Sequence, residues 1–62
     1  MKGFRYQAIV DDRLIWESNS VIRCKEKADH ELDYRNGYYA QIKTGNRVCA
    51  SRFYDTKWTR NG

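Results

Sequence analysis

Apolar and polar residues change their spacing twice along the chain. From Phe4 to Val10 they alternate, with Phe4, Tyr6, Ala8 and Val10 on one side and Arg5, Gln7 and Ile9 on the other. A period of two marks a strand with one buried face. Asp11-Asp12-Arg13 is a polar turn signal and "LIWES" resumes a strand, so the first unit is a hairpin. From about Cys24 the spacing lengthens: Cys24, Ala28 and Leu32 fall four apart, while Lys25, Glu26, Lys27, Asp29 and Glu31 take the other faces. That spacing predicts an amphipathic helix of about three turns. Glu31 and Arg35 support it as an i,i+4 pair. "RNG" at 35–37 stops it, because Asn36 and Gly37 both accept left-handed backbone.

Alternation returns in "GYYAQIKTGNRVCASRFY", residues 37–54. A two-residue loop at Gly45-Asn46 pairs Ile42 with Cys49, Ala40 with Ser51 and Tyr38 with Phe53, a mostly apolar face. The opposite face then holds Tyr39, Gln41, Lys43, Val48, Ala50 and Arg52. Residues 55–62 read as a polar, loosely ordered tail behind a single domain of residues 1–54. The expected architecture is α+β, ββαββ: a four-stranded antiparallel sheet with one helix packed on one face.

Register in the first hairpin is open, and a slip of one residue turns every side chain over. A two-residue loop at Asp11-Asp12 pairs Ala8 with Ile15 and sends Leu14 and Trp16 outward. A three-residue loop pairs Ala8 with Trp16 and puts both beneath the helix, at the cost of one non-glycine residue at positive φ. A core this small gains heavily from one tryptophan, which favours the second arrangement.

At 62 residues the chain is one small domain with a marginal core. It has no apolar run long enough to span a membrane and no signal-peptide segment at "MKGFRYQ", so a cytoplasmic protein is expected. Cys24 and Cys49, its two cysteines, have no Cys or His at metal-ligand spacing, which predicts neither a metal site nor a cofactor. Single His30 lies mid-helix between Asp29 and Glu31 without a nucleophile in sequence reach, and Asp11-Asp12 is a turn former rather than a catalytic pair. Phosphate loops and nucleophile elbows are missing, so no catalytic residue is assigned and an enzyme is not expected.

Net charge +4 with 15% aromatic residues turns attention to anionic partners. Aromatics interleaved with cations on a sheet can stack bases and follow phosphates. Tyr39, Lys43 and Arg52 form such a stripe, Arg5 extends it, and Lys57, Trp58 and Arg60 in the tail can wrap a backbone. The alternative is a protein partner, engaged at a sheet edge by a monomer or homodimer.

"FRYQAIVDDRLIWESNSVIRCKEKADHEL" resembles the hairpin-then-helix unit of phage integrase arm-binding domains. Ile22, Cys24, Lys25 and Ala28 stand at the positions of their hydrophobic-x-Thr-Lys-x-x-Ala helix start. That likeness implies a sheet laid in the major groove, hence DNA ahead of RNA. Cys24 replaces the capping Thr, and a third strand must come from after the helix. In size, basicity and style the whole chain is also similar to small early-region accessory proteins of lambdoid phages. This implies a setting in a host cytoplasm, acting on host DNA metabolism or a host protein.

Overall fold

The computed structural model describes residues 3–60. Its elements are β1 (Tyr6–Val10), β2 (Arg13–Ser18), α1 (Val21–Tyr34), β3 (Tyr39–Thr44), β4 (Arg47–Phe53) and β5 (Thr59–Arg60). The fold is α+β, with an antiparallel sheet in the order β2-β1-β3-β4-β5 and α1 on one face. The sheet has five strands where the sequence pattern predicts four. Residues 59–60 turn back along β4, pairing Ala50 with Arg60 and Ser51 with Thr59. Two residues carry no readable period, so β5 leaves no trace in the alternation. Residues 61–62 of the expected tail lie outside the described residues.

Both hairpins combine a two-residue turn with a β-bulge. Asp11 and Asp12 adopt positive φ (52° and 66°), the backbone of a tight hairpin turn that aspartate tolerates better than most residues. Ile15 is then an extra residue: Ile9 faces Leu14 and Ala8 faces Trp16. The structure thus joins the two-residue turn of one expected register to the Ala8–Trp16 pair of the other. In the second hairpin Gly45 supplies a φ of 63°, and Cys49 is the extra residue. Ile42 therefore faces Ala50 rather than Cys49, Ala40 faces Arg52, and Tyr39 faces Phe53. Strict alternation fails here because a bulge shifts the faces of every residue beyond it.

Helix α1 begins three residues earlier than its apolar spacing suggests. Ser20, in extended backbone, caps it by accepting the Arg23 N–H at 3.4 Å. Cys24, Ala28 and Leu32 are its buried residues, as their spacing requires. At the far end Arg35 and Gly37 both donate their backbone N–H to the Glu31 carbonyl, while Asn36 takes the left-handed conformation (φ 59°). Gly37 is held by space: a Cβ there would lie 2.9 Å from Val10 Cγ1 and 3.1 Å from Leu32 Cδ2.

The core between helix and sheet is thin, with Val10, Leu32 and Ile42 among Cys24 and four alanines, Ala8, Ala28, Ala40 and Ala50. Trp16 shares the helix side but sits on edge strand β2 and stays 42% exposed, with Lys27 Nζ 4.4 Å from its ring centroid. It is neither the core tryptophan nor the outward-facing one that the two registers offered.

Candidate nucleic-acid interface

Pairing assigns each strand residue to a face, because directly opposed residues share a side. Trp16, Ala8, Ile42, Ala50 and Arg60 form one row across the helix side. The open side carries Glu17, Gln7, Lys43 and Val48 in one row, and Leu14, Ile9, Gln41, Ser51 and Thr59 in the next. Tyr39 and Phe53 complete it, their rings 4.7 Å apart. Tyr39 and Lys43 thus share the open face as expected.

Arg52 does not join them. It lies on the helix side, only 13% exposed, and its guanidinium binds the Asp29 carboxylate. Its remaining donors go to the carbonyls of Phe53 and Tyr54. The bulge at Cys49 is the cause, since it moves Ala50 and Arg52 to the helix side together. The basic-aromatic stripe of Tyr39, Lys43 and Arg52 is therefore broken. Among the strand residues of the open face, Lys43 and Glu17 are the charged ones.

The tail residues divide in the same way. Trp58 packs against the core, and its Nε1–H donates to the same Asp29 oxygen at 3.0 Å. Lys57 is exposed between β4 and β5, and Arg60 points to the helix side of β5. Arg5 precedes β1, its backbone N–H donated to Asn19 Oδ1 at 2.9 Å.

Topology gathers the cations differently from the expected stripe. The start of β1, the β2–α1 junction and the Gly45-Asn46 turn lie at one end of the molecule, linked by the Tyr6–Ser18, Gln7–Lys43 and Thr44–Arg47 pairs; β5 pairs midway along β4, and Arg60 meets this end at a recess that it lines with Tyr6, Val21 and Lys25. Arg5, Arg23, Lys25, Lys43, Arg47 and Arg60 belong to this end; Glu17 and Glu26 are its acids. Helix α1 starts here, and its first turn has no acidic residue while its last turn has no basic one. Arg23 thus sits at the positive end of the helix dipole and Glu31 and Asp33 at the negative end, the reverse of the stabilising arrangement, while Arg35 at the C-cap offsets Glu31.

The opposite end is aromatic and mixed in charge, with Asp11, Asp12, Glu31 and Asp33 beside Arg13 and Arg35. Tyr38 packs on Phe53 and Tyr54, with centroids 5.5 and 5.6 Å away, and all three are exposed. Asp11 is occupied there, its carboxylate accepting the N–H groups of Tyr38 and Tyr39. His30 lies exposed on α1, 4.8 Å from the Tyr34 ring. Both cysteines are free thiols. Burial pushes the Cys24 thiol above its ordinary value; a hydrogen bond with the Ser18 backbone opposes the shift and the Glu17 charge adds to it. Among the described residues no group of three or more His, Cys, Asp or Glu side chains could hold a metal ion. No helix among them is long and apolar enough to cross a membrane.

Comparison with known protein families, with curated proteins and with solved structures finds no significant match.

Proposed function

We propose that the chain is a non-catalytic module that binds nucleic acid at its basic end, in the phage-like accessory role that its resemblances imply. One observation carries this reading: Arg23 stands in the first helical turn, where a cation costs stability. A surface charge set against the dipole costs about 0.3–1 kcal/mol. Arg23 also occupies the position where a glutamate would complete a capping box with Ser20. Departures from local rules of this kind collect at functional sites. An anionic polymer uses both the side-chain charges and the positive helix end. Gln7 and Gln41 on the adjoining open face are groups that can meet base edges.

Fluorescence anisotropy with duplex DNA and with single-stranded RNA, between 50 and 200 mM salt, tests the reading. Expected is a steep log–log salt slope that falls by about one for each cation removed among Lys43, Arg47 and Arg60. Absence of binding, or a slope near zero, overturns it.

A second reading, a protein partner, is favoured by the exposed ring cluster of Tyr38, Phe53 and Tyr54. Rings of this kind anchor protein interfaces, in a monomer or a homodimer alike. Weakened pull-down of that partner after Tyr54→Ser, with nucleic-acid affinity unchanged, would favour it.

A further inference from the structure

A recess of about 330 Å³ opens at the basic end between the first turns of α1 and strands β4 and β5. Its size lies at the lower end of the range of small-ligand pockets, about 300–1,000 Å³. It is more enclosed than the hollow beside Leu14 and Trp16 or the one beneath Tyr38. Tyr6 and Trp58 form aromatic walls, Ala50 and Val21 give apolar contact, and Lys25 and Arg60 supply two cations. Among the described residues no carboxylate lines it. Asp29, the nearest acid by bonding, is turned to the Trp58 Nε1–H and neutralised by Arg52.

We infer that this recess is a terminal-nucleotide subsite, which holds the 5′-phosphate of a strand between Lys25 and Arg60 and covers the attached nucleoside with Tyr6 and Trp58. The inference rests on the nucleic-acid reading and narrows it from a polymer surface to a chain end. A half-closed recess suits a strand end; an open groove would suit a continuous backbone. A terminal phosphate monoester also carries more charge than an internal diester, so the two cations that line the recess discriminate between them. The indole is pre-oriented, because its Nε1–H is already fixed on Asp29 and Lys25 Nζ lies 5.6 Å from its ring centroid. Holding an aromatic wall in place before binding lowers the ordering cost of stacking.

Cys49 gives the recess its own reporter. It lines the wall and is half-exposed, whereas Cys24 is fully buried, so alkylation of the native protein reads Cys49. The test compares two single strands of one sequence, one 5′-phosphorylated and one 5′-hydroxyl, by anisotropy. In parallel, iodoacetamide labelling is timed with and without adenosine 5′-monophosphate and with inorganic phosphate. Expected is about tenfold tighter binding of the phosphorylated strand, equal to about 1.4 kcal/mol, and slower Cys49 labelling with the mononucleotide than with phosphate alone. Arg60→Ala should collapse the ratio between the two strands towards one, and Arg60→Lys should restore part of it. Equal affinities with unprotected Cys49 overturn the subsite and leave the nucleic-acid reading standing. Protection by the mononucleotide without binding of either strand overturns the polymer reading and the strand-end subsite together, and leaves a recess for free mononucleotide.

Discussion

At the end marked by the Gly45-Asn46 turn, cations surround a helix N-terminus; at the end marked by the Asp11-Asp12 turn, carboxylates and exposed rings surround its C-terminus. Each end is a hairpin turn beside a helix terminus, yet they use charge in opposite ways. At the aromatic end polar groups are consumed by structure. Asp11 ties down the entry to β3, and Glu31 faces Arg35 across 3.7 Å while its carbonyl accepts two N–H groups. Towards mid-helix Asp29 is shared by Arg52 and Trp58 in the same manner. At the basic end, Arg23 opposes the local stabilising rules, and Lys43 faces the uncharged Gln7 and Val48. Structural economy explains the first end and leaves the second unexplained, which is the physical ground for assigning binding to it.

The largest expected effect comes from reversing charge at the basic end. Lys43→Glu with Arg47→Glu should weaken nucleic-acid binding by about a hundredfold at low salt, roughly 2.7 kcal/mol. Asp12→Lys, the matching reversal at the other turn, should change it little. Similar losses from both would dissolve the distinction between the ends.

Gly37→Ala sharpens the comparison from the structural side. The new methyl must displace Val10 or Leu32, an overpacking that costs about 1–3 kcal/mol. Thermal denaturation measures the loss, and binding by the protein that stays folded should persist. Arg23→Glu then asks whether charge at the helix start serves stability or binding. It completes the capping box and reverses a charge at the dipole, so stability should rise by about 0.5–1 kcal/mol while affinity falls. Both quantities moving the same way would refute the trade-off.

The smallest effect is a pH dependence. Below the ordinary thiol value, 9.0, the folded and unfolded chains both keep the Cys24 proton. Above it the unfolded chain ionises first, because burial raises the value in the fold, so stability falls as pH rises. Denaturant midpoints for the native chain and Cys24→Ala should converge from pH 8 to pH 10, and parallel curves would disprove the linkage.

Sequence reading succeeded where a period runs uninterrupted. Cys24, Ala28 and Leu32 lie under the helix as their spacing demands, and the turn at Gly45-Asn46 is where a glycine is needed. It failed at Ile15 and Cys49, since a bulged residue looks like any other strand residue and only a break in alternation betrays it. One such break was visible: Ala50, assigned outward beside Lys43, is a small apolar residue better suited to lying beneath a helix, and following it would have carried Arg52 inward too. Ser20 was readable as a helix cap. Trp58 was the other missed signal, a large ring in a segment otherwise too polar to need one.

The β1–β3 pairing has a consequence for the order of folding events. Each hairpin closes through neighbours in sequence, a microsecond process for isolated peptides. The seam that joins them runs from Gln7–Lys43 to Val10–Ala40, and the chain between must loop back before any of it can zip. Neither hairpin has the helix-side core without the other, because Ala8 and Val10 come from one and Ala40 and Ile42 from the other. The β1–β3 seam is therefore the pairing with the largest loop to close, and helix α1 lies within that loop.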